Sequence, residues 1–213
     1  MGQNIYHIIY DSVEALDFTG PHDVFAMANY ISRESLHSDD LPFQQYVIAC
    51  EKGPISTAGG IAITPDFTFD DVTPYADIIF IPGGPYIKSI SASDPMIKWI
   101  QSNYSDKNQI VSVCLGAFPL VVALGQKLQG HTITTHHQAI EDLRKKINSL
   151  NIDAFVAKGQ RYVSEGNVLC SAGVSSGIDA AFYLLSDIMG QEIARKTSEI
   201  MEYNRTINWS LEQ

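Results

Sequence analysis

Basic residues are scarce in this chain. It carries 14 Lys and Arg against 24 Asp and Glu, a formal charge of −10 over 213 residues. So acidic a surface repels phosphate backbones and anionic headgroups, which argues against nucleic acid and membrane as partners. Cysteine is also sparse. Cys50, Cys114 and Cys170 are widely spaced and form neither a CxxC pair nor a disulfide framework. Long apolar runs are missing, since no stretch approaches the roughly 20 residues that span a bilayer. The start, Met1-Gly2-Gln3-Asn4, has no basic segment, and Asp11 interrupts the first apolar run, which argues against a signal peptide. GxGxxG and Walker loops are absent, so nothing supports a nucleotide site. The histidines show no ligand spacing, so no metal and no cofactor are expected. These absences together predict a cytoplasmic protein with reduced thiols.

Apolar residues are plentiful, at 45% against 18% charged. That is the balance of a folded globule, and the length suits one domain over residues 1–213. Strand-length apolar runs alternate with helix-length segments. Strands are expected at 5–10, 46–50, 77–81, 109–113 and 132–135. Small hairpins are expected around Gly59-Gly60 and Glu165-Gly166-Asn167. Helices are expected from Pro21 to Tyr30, after Asp94-Pro95, and over 117–125, 139–147, 177–189 and 191–203. The polar stretch from Ser32 to Pro42 reads as a loop that could influence specificity. Cys50 and Cys170 fall in strands and read as core. This alternation predicts an α/β sandwich with a mostly parallel, doubly wound sheet and hairpins at its edge. Sites in such sheets form at the carboxyl ends of the strands.

The sharpest local feature is Ile110-Val111-Ser112-Val113-Cys114-Leu115-Gly116-Ala117. A buried strand ends in a cysteine, a glycine follows two residues later, and a helix begins. This is the logic of a nucleophile elbow with sulfur as the nucleophile, and a helix N-terminus facing the sulfur would favour a thiolate. Pro82-Gly83-Gly84-Pro85 ends the preceding strand. With the Leu115 N–H, the Gly84 N–H would make a two-donor pocket for developing negative charge. Asp17 lies past the first strand, where its carboxyl could exchange a proton with the thiol. His136 or His137 could act as a base for Cys114. Each residue alone has a plainer reading: Cys114 as a small buried hydrophobe, Gly83-Gly84 as an ordinary turn, Asp17 as a helix cap, His136 as a polar strand end. Arg144-Lys145-Lys146 reads as a solvated helix face.

The order of Leu16-Asp17-Phe18-Thr19-Gly20-Pro21, Pro82-Gly83-Gly84, Ser112-Val113-Cys114-Leu115-Gly116, Thr134-Thr135-His136 and Ser171-Ala172-Gly173 resembles the ThiJ/PfpI superfamily of the class I glutamine amidotransferase-like fold. The resemblance runs from about Ile5 to Tyr203 and is closest to the isonitrile hydratase branch. It implies a flavodoxin-like three-layer sandwich, a homodimer, a small-molecule substrate and no cofactor. It places the nucleophile at Cys114, the acid at Asp17 and the oxyanion donors at Gly84 and Leu115, with Gly83, Gly116 and His136 lining the site. The reaction so implied hydrates an isonitrile to an N-substituted formamide. Glyoxalase chemistry on small aldehydes and a cysteine-based redox sensor are the alternatives within the superfamily. One departure stands out: the branch carries a threonine directly after the cysteine, and this chain has Leu115.

Overall fold

A computed structural model describes residues 2–36 and 41–203. In chain order the elements are β1 (Gln3–Ile8), α1 (Ala15–Leu36), β2 (Phe43–Ala49), β3 (Ile55–Ser56), β4 (Ala62–Ile63), β5 (Phe67–Thr68) and β6 (Ile78–Ile81). They continue with α2 (Pro95–Asn103), β7 (Gln109–Val113), α3 (Ala117–Leu124), β8 (Thr132–Ile133), α4 (Ile140–Ser149), β9 (Phe155–Val156), β10 (Tyr162–Glu165), β11 (Val168–Ser171), α5 (Ser176–Met189) and α6 (Gln191–Ile200).

The main sheet has seven strands in the order β10-β11-β7-β6-β1-β2-β5. Every pairing is parallel except β10 with β11. At the centre, β6 is an unbroken run of Ile and Phe, and β1 and β7 are buried from Ile5 to Ile8 and from Ile110 to Val113, because both faces of a parallel sheet are covered. One face packs under α2, α3 and α4, with Trp99, Phe118 and Leu143 in its core. The other packs under α1, α5 and α6, with Phe25, Phe80 and Phe182. This is the α/β sandwich expected from the alternation. Among the described residues no helix is long and apolar enough to cross a membrane.

Several boundaries differ from the sequence reading. The first helix begins at Ala15, not Pro21, and runs to Leu36, so residues 32–36 are helix rather than loop. Pro21 therefore sits inside the helix and leaves the Asp17 carbonyl without its usual donor. Tertiary packing overrides that cost: Gly20 lies against Ile178 of α5, closely enough that a Cβ would come within 2.8 Å of its side chain. Of the expected specificity loop, residues 37–40 lie outside the described residues. The second hairpin forms one edge of the main sheet, with β10 outermost and β11 pairing β7. Cys170 is buried as expected, but Cys50 lies one residue past β2 and is exposed. The Asp94-Pro95 start of α2 is as read: the Asp94 carboxylate accepts the Met96 N–H at 2.9 Å.

Candidate active site

The carboxyl ends of β1, β6 and β7 lie side by side, and the turns that leave them meet at Cys114. The β7 strand ends at Val113 in extended conformation, and a single 3-10 turn over Cys114–Gly116 then leads into α3. Cys114 has φ 58°, the left-handed region that residues with a side chain rarely adopt. Such strain persists only where the surroundings enforce it. The Thr135 hydroxyl donates to the Cys114 carbonyl at 2.7 Å, a buried bond that holds the turn from outside. Gly173, at φ 105°, closes the other side, and a Cβ there would lie 2.8 Å from Cys114 Sγ and 2.5 Å from its Cβ. Replacing Gly173 with alanine is therefore expected to push the sulfur out of position. A loss of about 2 kcal/mol in chemical denaturation is expected. A slowing of Cys114 alkylation measured beside it would separate displacement from simple destabilisation.

Gly116 is needed for a different reason. A Cβ at this position would sit 1.9 Å from the Ile81 carbonyl oxygen, so α3 can start this close to β6 only because Gly116 has no side chain. Gly83 serves the site itself. A Cβ there would meet the Leu115 nitrogen at 2.6 Å, Asp17 Oδ2 at 2.9 Å and Cys114 Cβ at 3.0 Å. The missing side chain is thus what lets the carboxyl, the thiol and the Leu115 N–H face one another.

Asp17 stands in the first turn of α1 and is fully buried, at 0% exposure, while Cys114 retains 7%. The Gly83 N–H donates to Asp17 Oδ2 at 2.8 Å, and Oδ1 has no partner among the described residues. The Cys114 thiol and the same carboxyl lie close enough for each to influence the other's ionisation. Burial pushes Asp17 up to about 7, against the opposing pull of the Gly83 N–H, and the Glu14 carboxylate adds to the rise. Burial also pushes Cys114 up to about 12, with the charges of Asp17 and Glu14 adding and the Leu115 N–H opposing. Burial and the two carboxylates thus oppose the thiolate that the helix end was expected to favour. One amide and a short helix do not offset desolvation plus two nearby carboxylates. Asp17 and Cys114 instead form a pair in which the acid gives up its proton before the thiol does.

The other expected residues take varied places. The Leu115 N–H faces the thiol. The Gly84 N–H has no acceptor among the described residues, and the glycine lets its turn lie against Tyr10, whose Oη would be 3.1 Å from a Cβ. His136 folds back on its own chain. Its Nδ1 accepts the Gln138 N–H at 3.3 Å, and its ring lies 4.3 Å from that of His137. Burial, His137 and Lys88 hold His136 below the ordinary histidine value, and it is not among the groups acting on the thiol. In the Thr134-Thr135-His136 motif it is Thr135 that reaches the elbow.

Two residues of the site were not singled out from the sequence. Tyr10, beyond the end of β1, donates its hydroxyl to the Pro82 carbonyl at 3.0 Å and is pushed well up by burial, Asp17 and Cys114. Glu14 donates its N–H to the Gly83 carbonyl at 2.8 Å. Their signal was position alone: both follow the first strand, where such sheets place their sites.

Comparison with known proteins agrees with this fold. Isonitrile hydratase of Pseudomonas putida is 28% identical over 204 residues, covering 95% of this chain and 79% of that protein. A THiJ/PfpI family protein of Pseudomonas syringae superposes with a TM-score of 0.78 at 21% identity, over 100% of this chain and 80% of that one. DJ-1beta of Drosophila melanogaster superposes at 0.71 with 15% identity, over 96% and 100%. At such identities the two structures speak for the fold. The model of the DJ-1/PfpI family matches residues 3–187, which include both Asp17 and Cys114, and the chain belongs to that family.

Proposed function

We propose that the protein hydrates isonitriles to N-substituted formamides, with Cys114 as nucleophile and Asp17 as the proton carrier. The observation that carries this reading is the buried Asp17–Cys114 pair, in which an acid at about 7 faces a thiol at about 12. The likeness to isonitrile hydratase over nearly the whole chain supports the choice of reaction.

A thiol held so high is a poor resting nucleophile, so attack must be coupled to proton removal. Above pH 7 the pair holds one proton, on sulfur. As sulfur bonds to the terminal isonitrile carbon, that proton passes to Asp17 and from there to the same carbon, giving a thioimidate. Water then adds to the thioimidate carbon. The carbon–sulfur bond breaks, the formamide leaves and the proton returns to sulfur. The balance is one isonitrile plus one water to one formamide. In this reading the Leu115 and Gly84 N–H groups stabilise the charge that develops during attack. Leu115 offers no hydroxyl to orient the water, which leaves that task to Asp17.

The pH dependence has a definite sign. Below about 7 Asp17 is protonated, both groups hold protons and no base faces the thiol. The rate at low substrate is expected to rise about tenfold per pH unit up to that value and then level off. A profile on benzyl isocyanide between pH 5 and 9 checks this, with methylglyoxal as the control for glyoxalase chemistry. A rate that falls with rising pH contradicts the base role of Asp17. A peroxide sensor needs an exposed, low-pKa thiol. Burial and the raised pKa of Cys114 weigh against that alternative.

A further inference from the structure

A cavity of about 580 Å³ opens beyond the ends of β1 and β2 and under the segment that leads into α2, and it is linked to the Cys114 site through Tyr10. Its size suits a small organic molecule. Tyr10 is the wall shared by the two. Tyr10 lines the cavity, while its hydroxyl donates to the Pro82 carbonyl and its ionisation responds to Asp17 and Cys114. Phe69 and Tyr86 add aromatic faces, and Ile87 and Met96 aliphatic ones.

The polar part of the lining has one sign. Asp11, Glu51 and Asp94 border the cavity, and among the described residues none that lines it is basic. Two of these carboxylates have local duties: Asp94 caps α2, and Asp11 accepts the Ser56 N–H at 3.3 Å. Glu51 is exposed, and the adjacent Lys52 pairs with Asp71 instead, at 3.4 Å. Cys50, also in the lining, is pushed up by burial and by the charges of Glu51, Asp94 and Asp70. The negative field therefore converges on this space without a counter-ion in its lining among the described residues.

We infer that this cavity receives the body of the substrate, and that it selects an apolar, preferably aromatic group that is positively charged and rejects one that carries a carboxylate. Aromatic faces attract both apolar groups and cations, and the surrounding carboxylates repel anions. The inference rests on Cys114 being the reaction centre of the proposed hydration, because that places the reactive carbon at one end and the body beyond Tyr10.

Calorimetry with benzylammonium and benzoate, two probes of similar shape and opposite charge, tests the cavity without turnover. The wild-type protein is expected to bind benzylammonium at least tenfold more tightly than benzoate. Glu51→Gln should cut that preference about threefold or more. Ser91→Trp, which fills the space from an exposed position, should abolish binding of both. Benzylammonium should also compete with benzyl isocyanide for turnover. Equal affinity for the two probes, or no binding of either at millimolar concentration, overturns the selection by charge. Benzylammonium that binds without slowing turnover overturns the cavity as a substrate pocket. If the wild-type protein turns over no isonitrile, the proposed reaction fails, and the binding arms still decide the cavity.

Discussion

Replacing Asp17 with asparagine is expected to abolish turnover and, above pH 7, to make the protein more stable. Both effects come from the same burial. A carboxyl held at about 7 instead of its ordinary 3.8 costs the native state about 4 kcal/mol once ionised. Asparagine keeps an oxygen for the Gly83 N–H and carries no charge. The sign follows from proton binding. Between about 4 and 7 the folded protein holds a proton on Asp17 that the unfolded chain has lost. Wild-type stability therefore falls as the pH rises through that window. Denaturation curves should show Asp17→Asn ahead by about 2–4 kcal/mol at pH 8, and by roughly half as much at pH 5.5. Turnover should drop by about 10²–10⁴, the usual worth of a positioned proton carrier. An active Asp17→Asn variant, or one less stable than wild type at pH 8, would show that the carboxyl is a structural cap. Stability lost to a buried charge that function requires is the expected trade at a reactive centre.

Gly116→Ala should be the most damaging single-methyl change in the chain. Its Cβ would fall 1.9 Å from a backbone oxygen of β6, a central strand with no room to retreat. The backbone at Gly116 is ordinary, with φ −58°, so the penalty is purely steric. Either α3 moves away from the sheet or the elbow opens. Overpacking of a well-filled core costs about 1–3 kcal/mol, and a clash with main chain belongs at or above the top of that range. Thermal melting should show a drop of about 5 °C or more, since roughly 1 kcal/mol shifts a domain of this size by about 2–4 °C. Alanine at Gly59 is the control, because its Cβ meets nothing within 4 Å and its backbone is not in the left-handed region.

How much of this was legible in the sequence varies with the range of the forces involved. The central strands were readable because burial on both faces leaves unbroken runs such as Ile78–Ile81. The elbow was readable because one apolar run meets a cysteine and then a glycine, a local pattern. The start of α1 was not, since Pro21 looks like a helix opening and only contact with α5 shows that it lies inside. The short strands β5 and β9 hold two residues each and exist through pairing alone. At the site, Cys114 and Asp17 could be named, but the protonation of their pair could not. It depends on how far desolvation outweighs a helix end, and on the charge of Glu14, which acts on the sulfur from a turn that bonds the Gly83 carbonyl after β6. Tyr10 escaped for the same reason. His136 was given weight by its chemistry, whereas the bond that matters comes from its neighbour Thr135.

The most direct test is to follow the formyl proton of N-benzylformamide by NMR while benzyl isocyanide is incubated with the wild-type protein and with Cys114→Ala. The pairing of Cys114 with Asp17 predicts steady formamide production by the wild type and a fall of at least about 10³ in the variant. Formamide made equally well without the sulfur would remove Cys114 from the chemistry.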